Sequence, residues 1–117
     1  MDYKDLNVWK VSLDLVEYVY SEVKKFPQDE RFALTDQLKR AVVSIPSNIA
    51  EGSNRNTDKE FIQFLYIALG SASEVETQLI IAERLHYTKD IQAIMDKITQ
   101  IRKMLNALIG SIKRSKR

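Results

Sequence analysis

Residues 57–86, TDKEFIQFLYIALGSASEVETQLIIAERLH, decide the fold. A line of mostly apolar and small residues runs through Phe61, Leu65, Ala68, Ala72, Val75, Leu79 and Ala82 to His86. Its spacings of three and four are those of a helix that buries one narrow stripe. Thr57 and Glu60 have the spacing of a capping box, in which the two side chains satisfy free N–H groups of a first turn. A helix is therefore expected over about 58–86.

The same period appears on both sides of this segment. Downstream, Ile91, Ile94, Ile98, Ile101, Leu105, Leu108 and Ile112 mark a helix over about 89–112, with Thr88 as its cap. Upstream, Leu34, Leu38, Ala41, Ile45 and Ile49 mark one over about 30–52, after Asp29 as cap. Pro46 lies inside it and lacks the N–H that would bond the Val42 carbonyl; the stripe continues in phase, so a kink is expected there, not an end. At the start, Leu6, Trp9, Leu13, Val16, Tyr20 and Val23 mark a helix over about 6–25, capped by Asp5 and stopped near Phe26-Pro27. Short connections make consecutive helices antiparallel neighbours, and the 3-4 spacing favours crossing angles of about 20°. The expected fold is all-α, one up-down-up-down four-helix bundle over residues 1–117, with a basic tail at 113–117.

Composition agrees with this architecture. A chain of 117 residues is the size of one domain, and three glycines and two prolines leave little material for turns. The absence of cysteine excludes thiol catalysis, disulfides and thiolate zinc sites. MDYKDLNVWK lacks the basic and apolar segments of a signal peptide, and no stretch approaches the roughly 18 apolar residues of a membrane span. A cytoplasmic protein without a membrane role is expected. The net charge of +2 conceals an asymmetry: residues 1–101 carry twelve Lys/Arg against sixteen Asp/Glu, a net −4. Residues 102–117 carry Arg102, Lys103, Lys113, Arg114, Lys116 and Arg117 and no acid, a net +6.

The second and third helices carry more apolar residues than one stripe needs. Val42, Val43, Pro46 and Ala50 continue round the second, and Ile62, Leu69 and Ile80 lie off the stripe of the third. Helices apolar on several sides are buried on several sides, so a partner surface, and with it a homo-oligomer, is expected. The alternative is a thick core with a few exposed apolar side chains. A polar line of Gln37, Arg40, Ser44, Asn48 and Glu51 on the second helix is matched by Ser71, Glu74 and Gln78 on the third. Burial of such groups demands pairing, and Arg40 with Glu51 or Glu74 is the pair expected. The line reads either as a polar pocket or as a structural network that fixes register between helices or subunits.

No residue set specifies a reaction. Glu83 and His86 have the Glu-x-x-His spacing of di-iron bundles, but those sites need two such motifs, and this chain has one histidine. His86 reads more simply as a histidine near a helix carbonyl end, where positive charge is favourable. Nucleophilic triads and glycine-rich phosphate loops are absent. No cofactor, metal or small-molecule substrate is expected. The basic end is the functional candidate, because Lys and Arg clusters bind phosphate backbones by counterion release, and assembly multiplies such a patch. Arg55 is a further candidate on the folded body. The alternative is a tail that aids solubility, since no aromatic residue is interleaved with these cations.

The segments YKDLNVWK (3–10), FPQDERFALTDQLKRAVVSIPSNIAEGSNR (26–55) and EFIQFLYIALGSASEVETQL (60–79) together resemble one family. It is the four-helix bundle family named after proteins encoded in intervening sequences of bacterial large-subunit ribosomal RNA genes. The most specific part runs from Arg40 to Gly52, followed by Gly70-Ser71 and Glu74. The name records where some members are encoded, not an activity. The resemblance implies a left-handed up-and-down bundle able to form ring-shaped pentamers. A similar bundle is the accessory protein of diversity-generating retroelements, a basic pentamer that works beside a reverse transcriptase and RNA. A non-catalytic homo-oligomer that binds RNA or another nucleic acid is therefore the leading expectation. A protein-binding scaffold with no nucleic-acid role is the alternative.

Overall fold

The computed structural model describes residues 2–115. Four helices, α1 (Asn7–Val23), α2 (Leu34–Ser53), α3 (Asp58–Arg84) and α4 (Gln92–Arg114), follow one another with 3₁₀ turns at Tyr3–Asp5 and Gln28–Glu30. Each helix packs against its two neighbours around a ring, α1 on α2, α2 on α3, α3 on α4 and α4 on α1. Cross-helix pairs give the directions. Ser44 meets Ser71 while Gln37 meets Gln78, and Tyr66 meets Lys113 while Glu76 meets Arg102, so α3 runs antiparallel to both α2 and α4. The result is an up-and-down bundle 51 Å long and 24 × 20 Å across.

The core is built where the period places it on α3 and α4. Leu65, Ala68, Ala72, Val75, Leu79 and Ala82 are buried against Ile91, Ile94, Ile98, Ile101 and Leu105. In the last turns of α4 the buried position passes to Ile109, and Leu108 and Ile112 pack at its edge. The first helix departs from the expected phase. Its buried line is Val8, Ser12, Leu15, Val19, Glu22 and Val23, one residue off the expected stripe and so about 100° round the helix. Ser12 and Glu22 interrupt that line, so the neighbouring apolar line reads as the stronger one. Ser12 is tolerated because its hydroxyl donates to the Trp9 carbonyl at 2.6 Å. Leu6, Trp9 and Val16 pack on the outside of the core, and Tyr20 is exposed.

The helix ends also differ from expectation. Thr57 caps α3 as its spacing demands, accepting from the Glu60 N–H at 3.1 Å and donating to the Glu60 carboxylate at 3.1 Å. Neither Asp5 nor Asp29 caps α1 or α2; both lie in the preceding 3₁₀ turns, and Glu30 instead accepts from the Leu34 N–H at 3.3 Å. Thr88 does not cap α4, which begins four residues later. It is buried and donates its hydroxyl to the buried Glu22, whose carboxylate also accepts from Lys25 at 3.1 Å. Tyr87 donates to Glu30 at 2.7 Å, which raises its hydroxyl pKa above the usual value. The acids Glu22 and Glu30 thus hold the α3–α4 connection against the α1–α2 end of the bundle. His86 lies outside α3 in left-handed backbone, φ 63°, with the Tyr87 N–H returning to the Ala82 carbonyl at 2.9 Å. That is the Schellman arrangement, with histidine where glycine is the usual occupant.

The apolar excess is distributed differently from the sequence reading. Val42 and Pro46 of α2 are buried within the chain, because α2 packs between α1 and α3 and needs a wide apolar face; Val43 alone of that set is exposed. Pro46 sits inside α2 without ending it. On α3, Ile80 is exposed as expected, together with Tyr66, Ile67, Ile81 and the C-cap residue Leu85, whereas Ile62 and Leu69 pack at the core edge. The expected ion pair is not formed: Arg40 binds Asp36 at 2.9 Å one turn away on α2, and both side chains are exposed. Glu51 binds Arg55 at 2.7 Å, and Glu74 is exposed. Uncharged side chains carry the contact between the two polar lines, and Gln78 donates to Gln37 at 3.5 Å. Ser44 and Ser71 hydrogen-bond to each other, Ser44 also donates to the Ala41 carbonyl, and Asn48 donates to the Ser44 carbonyl at 2.7 Å.

α2 approaches α3 closely at Gly52, where an added Cβ would lie 2.6 Å from Phe64 Cβ and 3.1 Å from a Phe61 ring carbon. Gly70, on α3, faces open space. Gly52→Ala should lose about 1–3 kcal/mol through overpacking, whereas Gly70→Ala should gain about 0.5–1 kcal/mol from helix propensity. Urea unfolding of both variants separates the two; equal stability would refute the close approach. Arg40→Leu should change stability by less than about 1 kcal/mol, the scale of an exposed pair. A loss of several kcal/mol in the same measurement would show that Arg40 is buried in an assembly.

Candidate functional site

The expected basic tail begins inside α4. Lys113 and Arg114 form the last turn of α4, because Ile109 and Ile112 still anchor that turn and cations suit a helix carbonyl end. Lys116 and Arg117 lie outside the described residues. Eleven residues are about three turns, so Arg102 and Lys113 share the side of α4 that meets α3, and Lys103 and Arg114 share the next side outward.

Ion pairing divides the candidate cations. Arg102 reaches across to Glu76 on α3 at 3.2 Å, and Arg55 is held by Glu51 while its guanidinium lies 4.8 Å from the centre of the Phe64 ring. Both are neutralised locally. Among the described residues, Lys103, Lys113 and Arg114 form no ion pair with a carboxylate, and neither does Lys59 of α3. The structural set separates in the same way: Ser44, Ser71 and Asn48 form a seam, whereas Arg40, Glu51 and Glu74 face outward.

Packing of α4 on α3 makes a groove of about 360 Å³ lined by Lys59, Ile62, Gln63, Tyr66 and Lys113. Tyr66 is 49% exposed, and the Lys113 ammonium lies 3.3 Å from its hydroxyl and 5.7 Å from its ring centre. An open aromatic face is thus flanked by two lysines, and the lining contains no acid. The sequence reading missed Tyr66 and Lys59, because an aromatic was sought within the basic segment. The signal that was present is the spacing of Lys59, Ile62, Gln63 and Tyr66, which places all four on one side of α3.

A larger open groove of about 520 Å³ runs along α2, lined by Tyr20, Lys39, Arg40, Val43, Asn48 and Glu51 among others. It carries both charge signs. Among the described residues, no group of three or more His, Cys, Asp or Glu could hold a metal ion, and no helix is long and apolar enough to cross a membrane.

Comparison with known proteins agrees with this architecture. Among curated proteins, none matches the chain. A crystal structure from Bacteroides thetaiotaomicron, described as a protein with unknown function from the S23 ribosomal protein family, superposes with a TM-score of 0.79 at 30% identity, covering 87% of this chain and 97% of that one. The family model for the 23S rRNA-intervening sequence protein matches residues 4–107, nearly the whole bundle. The chain therefore belongs to the 23S rRNA-intervening sequence protein family.

Proposed function

We propose that this protein is a non-catalytic homo-oligomer, five subunits in a ring, that binds RNA as an accessory factor through cations repeated around the assembly. The observation that carries the RNA reading is the grouping of Lys59, Lys113 and Arg114 near one end of the bundle without carboxylate partners, beside the exposed Tyr66, with Lys103 about three turns further along α4. Unpaired lysines retain the counterions whose release drives binding to a phosphate backbone. Assembly is supported by Ile67, Ile80 and Ile81 on α3 and Leu85 at its C-cap, large apolar side chains that one bundle leaves uncovered. The α2 groove, with Val43 open among charges of both signs, favours a protein partner as the second reading.

Light scattering at micromolar concentration is expected to give the mass of about five chains, and a monomeric mass would remove both the ring and the multiplied patch. Deleting residues 113–117 removes Lys113, Arg114, Lys116 and Arg117 and leaves the core intact, since Ile112 stays. RNA affinity should then fall similarly for unrelated sequences. The slope of log affinity against log salt should flatten by about 0.7–0.9 for each phosphate that the shortened chain no longer neutralises. Unchanged affinity and slope would favour the protein-partner reading.

A further inference from the structure

We propose that the groove between α3 and α4 receives an unpaired base, stacked on Tyr66, with the flanking phosphates held by Lys59 and Lys113. This rests on the RNA reading above and narrows it from phosphate backbone in general to single-stranded segments. Three observations support it. Tyr66 is half exposed on a helix whose neighbouring residues Leu65 and Ala68 are fully buried, so its ring stands on rigid backbone. A base needs such a flat face, and every base has one to offer. The ring is flanked by two ammonium groups and no carboxylate, which matches the charge of a nucleotide and not that of an acidic or mixed surface.

Lys59 is the third observation. It lies in the first turn of α3, where the helix dipole opposes a cation, and it makes no ion pair with a carboxylate among the described residues. Its position is unfavourable for the helix and favourable for an anion in the groove. Lys113 now donates to the Tyr66 hydroxyl at 3.3 Å, beyond the edge of the ring. Its flexible stem lets the ammonium exchange that weak surface contact for a phosphate, for which the charge-assisted bond is stronger. Duplex RNA keeps its bases stacked in pairs and offers the groove phosphates alone.

The test uses the full chain, a fluorescent unstructured uridine 12-mer and a blunt RNA duplex of the same length. Tyr66→Leu should weaken binding of the single strand by about 5- to 150-fold while leaving its salt slope and the duplex affinity unchanged. Tyr66→Phe, which keeps the ring, should bind as the parent does. Lys59→Gln with Lys113→Gln should weaken both ligands and flatten both salt slopes. Circular dichroism and light scattering of each variant verify fold and mass. If the parent binds neither RNA, the RNA reading fails and the stacking proposal with it. If the lysine variant loses RNA but Tyr66→Leu does not, the RNA reading stands and stacking is refuted. A fall in mass for Tyr66→Leu would assign the groove to the contact between copies and also overturn the proposal.

Discussion

The close approach of α2 and α3 is the constraint on which the bundle depends. Ser44 and Gly52 on one helix meet Ser71, Phe61 and Phe64 on the other, and small residues let backbones approach where leucines would hold them apart. A hydroxyl pair in this seam can be buried cheaply because Ser44 and Ser71 satisfy each other. Gln78 shows the limit of that economy: it reaches Gln37 at 3.5 Å through its amide nitrogen, while its own buried oxygen has no partner among the described residues. With α2 drawn in between α1 and α3, its wide apolar face becomes core. Val42 and Pro46 are buried for that reason and not by a partner.

The two ends of the bundle are held by different means. At the end bearing the α3–α4 connection, Glu22 and Glu30 reach Thr88 and Tyr87, and the Tyr87 ring packs 5.7 Å from Phe26. A buried carboxylate is costly unless bonded, so Glu22 requires both Thr88 and Lys25. At the opposite end Gly52 and the Thr57 cap allow a tight turn from α2 into α3. The groove near that end is consequently framed by well-anchored backbone, which suits a surface that must present a ring and two charges in fixed relation.

The sequence was most legible where apolar residues run unbroken. The stripes of α3 and α4 could be read directly because polar residues scarcely enter them, whereas Ser12 and Glu22 concealed the buried line of α1. Glu22 and Thr88 are 66 residues apart, so no local pattern announces that one receives the other. The same holds for Arg40. Its line on α2 was visible, but Asp36, one turn away, satisfies it at the surface. Of the candidate site, the cations of α4 were legible and their aromatic companion was not, because Tyr66 and Lys113 are brought together across 47 residues by helix packing.

Charge at this end of the molecule separates into what the helices require and what they do not. Asp58 and Glu60 suit the positive N-terminus of α3, and Lys113 and Arg114 suit the carbonyl end of α4. Arg55 and Arg102 are matched by Glu51 and Glu76. Each of these eight has a structural reason to be where it is. Lys59 lies against the dipole and without a carboxylate partner among the described residues, beside an exposed ring that likewise adds little to the core. Residues that break local rules without a folding benefit are where function is expected to be found. Thus Lys59 and Tyr66, more than the abundant cations of the last turn, distinguish a groove built for a ligand from a helix end that is merely basic.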